Sequence, residues 1–330
     1  MNLLEVKNLN TSFHIGVGVV QAVRGISFDV AEGESVGIVG ESGSGKSVTM
    51  LSVMGLLPEY ADISADSIRF DGREITKLSK KAARAMHGSE IGMIFQDPMT
   101  SLNPLFTVES QLTEPLRIHR HMNKAQARQR ALELLRQVEI PNPEARLKQY
   151  PHELSGGLRQ RVMIAIALAC EPKMIIADEP TTALDVTIQA QILDLLQHLK
   201  QKTKTSIIMI THDLGVIASM CTRIFVMYGG VICEQGSARE IFYDAKHPYT
   251  WGLLNSIPKV TGKTGEKLIP IKGTPPDMLK PPAGCPFSPR CRYCMPVCRT
   301  YMPPLTALSD THIVACYLTH PKAPKITKGV

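Results

Sequence analysis

The chain has 330 residues, 44% of them hydrophobic and 20% charged, with a formal net charge of +7. That content is enough for a sizeable buried core, while scattered basic residues and only 5% aromatics lack the basic stripe with interleaved rings that a nucleic-acid surface needs. The longest apolar run, Val162 to Cys170, falls far short of the roughly 20 residues of a membrane span. The acidic, strand-like opening Met1-Asn2-Leu3-Leu4-Glu5-Val6 does not read as a secretory leader, so a cytoplasmic protein is expected.

Residues 1 to about 98 alternate short strands with one helix. The apolar run Ser35-Val36-Gly37-Ile38-Val39 leads into Gly40-Glu41-Ser42-Gly43-Ser44-Gly45-Lys46-Ser47, which fits G-x-x-x-x-G-K-[ST] at every fixed position. Gly40, Gly43 and Gly45 let the backbone curl and aim its N–H groups at phosphate oxygens, and the helix that follows adds the positive end of its dipole. Lys46 is then placed to reach the β- and γ-phosphates, and Ser47 to hold Mg²⁺.

The pattern then turns helical. Asn123 to Ile140 carries Ala127, Ala131, Leu134, Leu135 and Val138 at helical spacing, which predicts a packed amphipathic helix. Leu154-Ser155-Gly156-Gly157-Leu158-Arg159-Gln160-Arg161 follows. Ser155 is a good N-cap, and two glycines behind it leave a helix N-terminus uncovered for an anion. Since this chain's phosphates already have a cradle at residues 40 to 47, the Ser155 end is expected to serve the nucleotide of a second ATPase subunit.

Strand–helix alternation resumes from about 160 to 240, as in a mostly parallel sheet covered by helices. Lys173-Met174-Ile175-Ile176-Ala177-Asp178-Glu179 is an apolar run ending in two acids. Asp178 is the natural Mg²⁺ partner, directly or through water; Glu179, on the other side of an extended chain, suits a base that orients the attacking water. Ile207-Ile208-Met209-Ile210-Thr211-His212-Asp213 reads as a second buried strand with His212 at its polar tip.

Prolines crowd residues 270 to 304, which disfavours long helices. Five of the eight cysteines fall in the same region: Cys285, Cys291, Cys294, Cys298 and Cys316. In a cytosolic chain such a cluster argues for metal or iron–sulfur ligation over disulfides. Four thiolates hold either zinc or a cubane cluster, with unligated thiols as the third reading, and the lack of paired C-x₂-C knuckles favours iron–sulfur. Cys170, Cys221 and Cys233 sit in apolar contexts and read as packing.

With these segments in order, residues 1 to about 240 resemble the ATP-binding subunits of ABC transporters. The resemblance implies an α/β P-loop NTPase core over residues 1–245, with a helical subdomain inserted at about 99–158, and a small irregular C-terminal extension over 246–330. It implies that Phe13 stacks on adenine, and that Gln96 of Phe95-Gln96-Asp97-Pro98 joins Ser47 and Asp178 around Mg²⁺ and reports to the membrane-facing parts. Asp185 of Ala183-Leu184-Asp185 is then on the loop linking two sites across a dimer, His212 contacts the γ-phosphate, and Ser155, Gly156 and Gly157 complete the partner's site. Leu158 stands where glutamine is the commoner residue.

Gly284-Cys285-Pro286-Phe287-Ser288-Pro289-Arg290-Cys291, Cys298, Val314-Ala315-Cys316, Thr274-Pro275-Pro276-Asp277 and His247-Pro248-Tyr249-Thr250 are similar to the C-terminal extension of dipeptide and oligopeptide importer ATPases. There Cys285, Cys291, Cys298 and Cys316 occupy recurrent positions and a [4Fe–4S] cluster is implied for some members; Cys294 is then an extra thiol, which leaves open which four coordinate. The implied function is ATP-driven uptake of dipeptides or oligopeptides. Nickel, glutathione or cationic peptides are alternative cargoes, and a non-transport ATPase of the same superfamily is a more distant reading. The implied partners are a second homologous ATPase subunit in a heteromeric pair, two membrane permease subunits and an extracytoplasmic peptide-binding protein, which would hold this chain at the cytoplasmic face of the membrane.

Overall fold

The computed structural model describes residues 1–182, 185–256 and 270–326. They form two compact units, each made of discontinuous segments.

The first unit comprises Met1–Leu4, Val30–Ser35 and Arg69–Ile210. Its strands Ile91–Ile94, Met174–Asp178 and Ser206–Ile210 are parallel, with Met174–Asp178 in the middle and Ala177 in register with Ile94 and Met209. All five residues of the middle strand are buried, as expected where helices cover both faces. Gly92 permits close helix packing: a Cβ there would lie 2.6 Å from the Ala167 carbonyl oxygen, so only glycine lets the helix Gly156–Leu168 approach so closely. The sequence places an amphipathic helix at Asn123 to Ile140, and the helix runs Lys124–Gln137. Asn123 caps it in a reciprocal box: its Oδ1 accepts from Gln126 N–H and Gln126 Oε1 accepts from Asn123 N–H, both at 3.0 Å. Ala127, Ala131, Leu134, Leu135 and Val138 are all buried, each leucine contributing about 1.5–3 kcal/mol by leaving water. The buried Arg161 guanidinium ties the helices of this unit together, donating to Val138 O at 2.7 Å and to Gln191 Oε1 at 3.0 Å.

The second unit comprises Glu5–Asp29, Val36–Ile68 and the described residues from Thr211 onward. Here Ala61–Ser64 pairs antiparallel with the strand Asn2–Ile15 through Asn10 to Phe13. Ser35–Val39 runs parallel to Arg223–Tyr228, which pairs antiparallel with Val231–Ser237. Two short strands of the proline-rich region extend this sheet: Ile313–Val314 pairs with Gln235 and Glu234, and Thr306–Ala307 pairs with Ile313–Val314. Through these two strands the described part of the region from 246 joins the sheet that carries the phosphate loop. Among the described residues, no helix is long and apolar enough to cross a membrane.

Candidate nucleotide site

The loop Gly40 to Ser47 leaves the buried strand Ser35–Val39 and enters the helix Lys46–Met54. Its glycines adopt φ values of +155° at Gly40, +77° at Gly43 and +100° at Gly45. Two of them are also sterically required, since a Cβ on Gly40 would lie 2.2 Å from Met227 O and one on Gly45 2.5 Å from Ala22 O. Gly45 caps the helix without a side chain, which leaves the first-turn N–H groups facing outward for an anion. Lys46 Nζ bends over the loop and donates to Gly40 O at 2.8 Å and Glu41 O at 3.0 Å. Ser44 Oγ is buried with no hydrogen-bond partner, and Ser47 is half-buried in the first helical turn. The curled glycines, bare helix end and orphaned hydroxyl fit a polyphosphate chain.

The same loop is gripped from the C-terminal region. The Glu41 N–H donates to Tyr249 Oη at 2.7 Å, and Arg290 forks onto the Glu41 carboxylate at 2.6 and 3.1 Å. Burial alone lowers the Arg290 guanidinium; the Glu41 carboxylate and the Tyr228 hydroxyl outweigh it and hold the group above its ordinary value. Sequence reading missed this grip because its members lie 208 and 249 residues from Glu41 and carry no shared spacing.

In the other unit, the strand Met174–Asp178 ends on the buried Asp178. Glu179 does not continue the extended chain, contrary to the alternation expected from sequence. It sits at φ +45°, with its N–H bonded to Ile210 O at 2.8 Å, so a turn and not strand geometry aims its side chain. The Glu179 Oε2 accepts from Gln96 Nε2 at 3.2 Å and from Thr182 Oγ1 at 2.9 Å. Two of the sequence-predicted residues, 83 positions apart, thus meet, and Thr182 is an unpredicted third. Ser155 caps Gly156–Leu168 by accepting from Leu158 N–H, and Ser155 and Gly156 are exposed with no atom within 4 Å of a Cβ built on Gly156. Gly157 does meet a neighbour, Ile188, at 3.0 Å. Gln160, buried one turn on, donates to Pro180 O at 2.6 Å and links this helix to the turn that carries Glu179. Asp185 caps the helix Val186–Thr203 by accepting from Ile188 N–H at 2.9 Å; Ala183 and Leu184 lie outside the described residues.

Two predicted contacts lie in the second unit. His212 is exposed where the chain leaves Ser206–Ile210, just before Asp213, which caps the helix Leu214–Met220. Phe13 is half-buried on the strand Asn2–Ile15 and makes a tilted ring contact with Tyr60 at 6.1 Å.

All eight cysteines are free thiols. Cys285, Cys291, Cys298 and Cys316 line one cavity of about 10 Å³, about what a single water needs, walled by Phe287, Tyr293 and Leu318. Burial pushes Cys285 and Cys316 up to about 12 and Cys291 to about 11, so as free thiols they stay protonated. The donor set suits thiolate-bound metal chemistry, but the spacing does not: among the described residues, no three His, Cys, Asp or Glu side chains are arranged to hold a metal ion. The expected [4Fe–4S] or zinc centre therefore finds no support in this arrangement, because the thiols close on a void far smaller than a cluster. The same observation leaves Mg²⁺ unaffected, since that ion is held mainly by phosphates and water with one or two protein oxygens.

The model for the ABC transporter family matches residues 23–182, and that for the oligopeptide/dipeptide transporter C-terminal region matches residues 233–298. The chain is 53% identical over 322 residues to the dipeptide transport ATP-binding protein DppD of Bacillus subtilis, covering 97% of this chain and 96% of that one. It is 54% identical over 325 residues to the oligopeptide transport ATP-binding protein OppD of the same organism, covering 98% and 91%. With OppD of Salmonella typhimurium the identity is 50% over 315 residues, covering 96% and 93%. Among solved structures, the dimeric post-hydrolysis state of the ATP-binding cassette MJ0796 bound to ADP and Pi is similar, with TM-score 0.65 and 30% identity over 72% of this chain and 99% of that one.

Proposed function

This chain belongs to the ABC transporter family, in the branch that carries the oligopeptide/dipeptide transporter C-terminal region, and we propose that it is the ATP-hydrolysing subunit of a membrane importer for dipeptides or oligopeptides. The observation that carries this reading is continuity. The near-50% identity with peptide-transport relatives runs through both the ATPase segments and the proline-rich region, over nearly the whole of each chain. The C-terminal match favours peptides over nickel or glutathione as cargo.

The proposed cycle follows from the residues. Lys46 exchanges the loop carbonyls of Gly40 and Glu41 for the β- and γ-phosphates. Ser47 would supply an oxygen to Mg²⁺, and the family resemblance assigns Asp178 and Gln96 as the further residues that would hold it. Phe13 offers a ring face to adenine. Glu179 orients and deprotonates the attacking water; Gln96 and Thr182 on its Oε2 fix the carboxylate's direction, which a water-aligning base requires. Lys46 and His212 stabilise charge on the departing phosphoryl group. Ser155 and Gly156, exposed at the helix end, and Gly157 behind them close over the nucleotide of a homologous second ATPase subunit, and Asp185 lies on the segment between the two sites. ATP-driven closure moves the inserted helical region and with it two permease subunits at the cytoplasmic face of the membrane, while an external binding protein delivers the peptide.

The iron–sulfur reading of Cys285, Cys291, Cys298 and Cys316 rests on the donor set alone, four thiols around one cavity, and requires them to move apart from the arrangement described, in which no group among the described residues is placed to hold a metal ion. A bound cluster would staple a region with few apolar residues of its own. No catalytic step runs through it. Iron and labile-sulfide assays after anaerobic purification test it, and stoichiometric zinc or no metal would refute it.

The function itself is tested by reconstituting the chain with its sister ATPase, permeases and binding protein in vesicles. ATP-dependent accumulation of labelled di- or oligopeptides, lost with Lys46→Ala, is expected. Robust ATP hydrolysis with no peptide uptake, or uptake of nickel or glutathione in its place, would overturn the cargo assignment.

A further inference from the structure

Arg290 makes an unusually complete set of bonds. Its Nη1 and Nη2 fork onto Glu41, Nη1 also donates to Tyr228 Oη at 3.1 Å, Nη2 to Ile271 O at 3.0 Å and Nε to Lys272 O at 2.9 Å. Five donations match the five N–H groups of a guanidinium. The group also lies over the Tyr228 ring at 5.7 Å, and its side chain is only 5% exposed. The target is as fully engaged. The Glu41 carboxylate is held by Arg290, its N–H by the buried Tyr249 hydroxyl, and its carbonyl accepts from Lys46 Nζ. Glu41 directly follows Gly40, and Arg290 directly precedes Cys291 on the wall of the thiol-lined cavity.

An ion pair this buried adds little net stability, because desolvating both charges offsets most of their attraction. What the fork supplies is direction: a planar two-bond contact fixes where a loop residue sits, which one ammonium group does not. We infer that Arg290 is a positioning residue for the phosphate loop, acting through Glu41, and that through this contact the cysteine-bearing region senses whether the loop holds ATP.

The link lies in Lys46, which takes the Glu41 carbonyl as a partner in the structure and must turn from it toward phosphate when nucleotide binds. Whatever holds Glu41 biases that exchange. By thermodynamic reciprocity, nucleotide in the loop must in turn steady the segment around Arg290 by the same factor.

The inference rests on the proposed ATP-binding role of residues 40 to 47, and the experiment separates the two. ATP affinity is measured for the full chain and for Glu41→Gln, Arg290→Met, Arg290→Lys and the Glu41→Gln/Arg290→Met double variant, together with hydrogen exchange of residues 285–294 with and without ATP. Arg290→Met is expected to weaken ATP binding about tenfold, within the roughly 5- to 150-fold range of typical coupling. Arg290→Lys should recover only part of this, and the double variant should be no weaker than the worse single one. KM for ATP should rise with kcat little changed, since the loop holds ground state and transition state alike. ATP should slow exchange in residues 285–294 of the unmodified chain and not of Arg290→Met. If Arg290→Met fails to fold, Glu41→Gln, which leaves the arginine its other three bonds, carries the same comparisons against the unmodified chain. Unchanged ATP affinity in the single variants, single effects that multiply in the double, or exchange indifferent to ATP would overturn the inference. Failure of the unmodified chain to bind ATP would instead sink the proposed function.

Discussion

Glu179 is the one non-glycine residue of the candidate site with positive φ, and such a conformation costs on the order of 1–3 kcal/mol. The fold retains it through the Ile210 carbonyl behind and the Gln96 and Thr182 donors on the carboxylate. Glu179→Gln keeps the shape and removes the base, so steady-state hydrolysis should fall by roughly 10²–10⁴ while ATP affinity stays within about twofold. Near-normal turnover in that variant would refute the assignment. Thr182→Val leaves the base but loosens it; kcat should drop with KM for ATP nearly unchanged, and a rise in KM alone would show that Thr182 serves nucleotide binding instead. The identities of Lys46, Asp178 and Glu179 were legible in the sequence because each follows an apolar strand at fixed spacing. The Gln96–Glu179 bond was not, since spacing carries no information about two turns brought together by neighbouring strands. The alternation rule also misdirected Glu179, because it applies only while the strand continues, and the strand stops at Asp178.

At the scale of elements, caps and glycines decide the local geometry. The helix Lys124–Gln137 was readable from five apolar positions, all of them buried, yet the reciprocal Asn123–Gln126 box that starts it was not read. Asn123→Ala should lower unfolding free energy by about 1 kcal/mol without changing ATP affinity, as chemical denaturation and nucleotide titration would show. The phosphate loop gives the opposite result. Gly45→Ala drives a Cβ to within 2.5 Å of Ala22 O at a φ that L side chains avoid, and ATP binding should be lost although the adjoining strand and helix persist. Retained affinity in Gly45→Ala would mean that the loop tolerates a geometry other than the one described.

Across the whole molecule, the C-terminal region is bound to the ATPase sheet more tightly than its composition suggested. Prolines and cysteines marked it as irregular, but neither signals that Val314 would pair with Glu234 or that His312 would reach the same residue. Glu234 is fully buried, and burial pushes its carboxyl up; the 2.8 Å bond with His312 and the Lys246 N–H outweigh this and hold it below the usual range. The Glu234 carboxylate in turn raises His312, with burial opposing. A raised histidine contributes fully below its unfolded value, near 6.5, and loses that contribution as pH climbs through the folded value; the lowered carboxyl loses its share as pH falls below about 4.5. The pair is therefore strongest between about pH 4.5 and about pH 6.5. His312→Gln should cost about 2 kcal/mol at about pH 5.5 and less at about pH 9, and equal losses at both would show that charge plays no part.

The central claim is that ATP is enclosed by the phosphate loop of one subunit and the Ser155 end of another. Sedimentation of Glu179→Gln with its homologous ATPase partner, with and without Mg-ATP, tests this most directly. ATP is predicted to convert separate subunits of 36.3 kDa into a stable pair. A Ser155→Arg change in this chain, with the matching change in its partner, should prevent pairing while each chain still binds ATP. Subunits that bind ATP and remain apart, or a Ser155→Arg pair that assembles normally, would contradict the account.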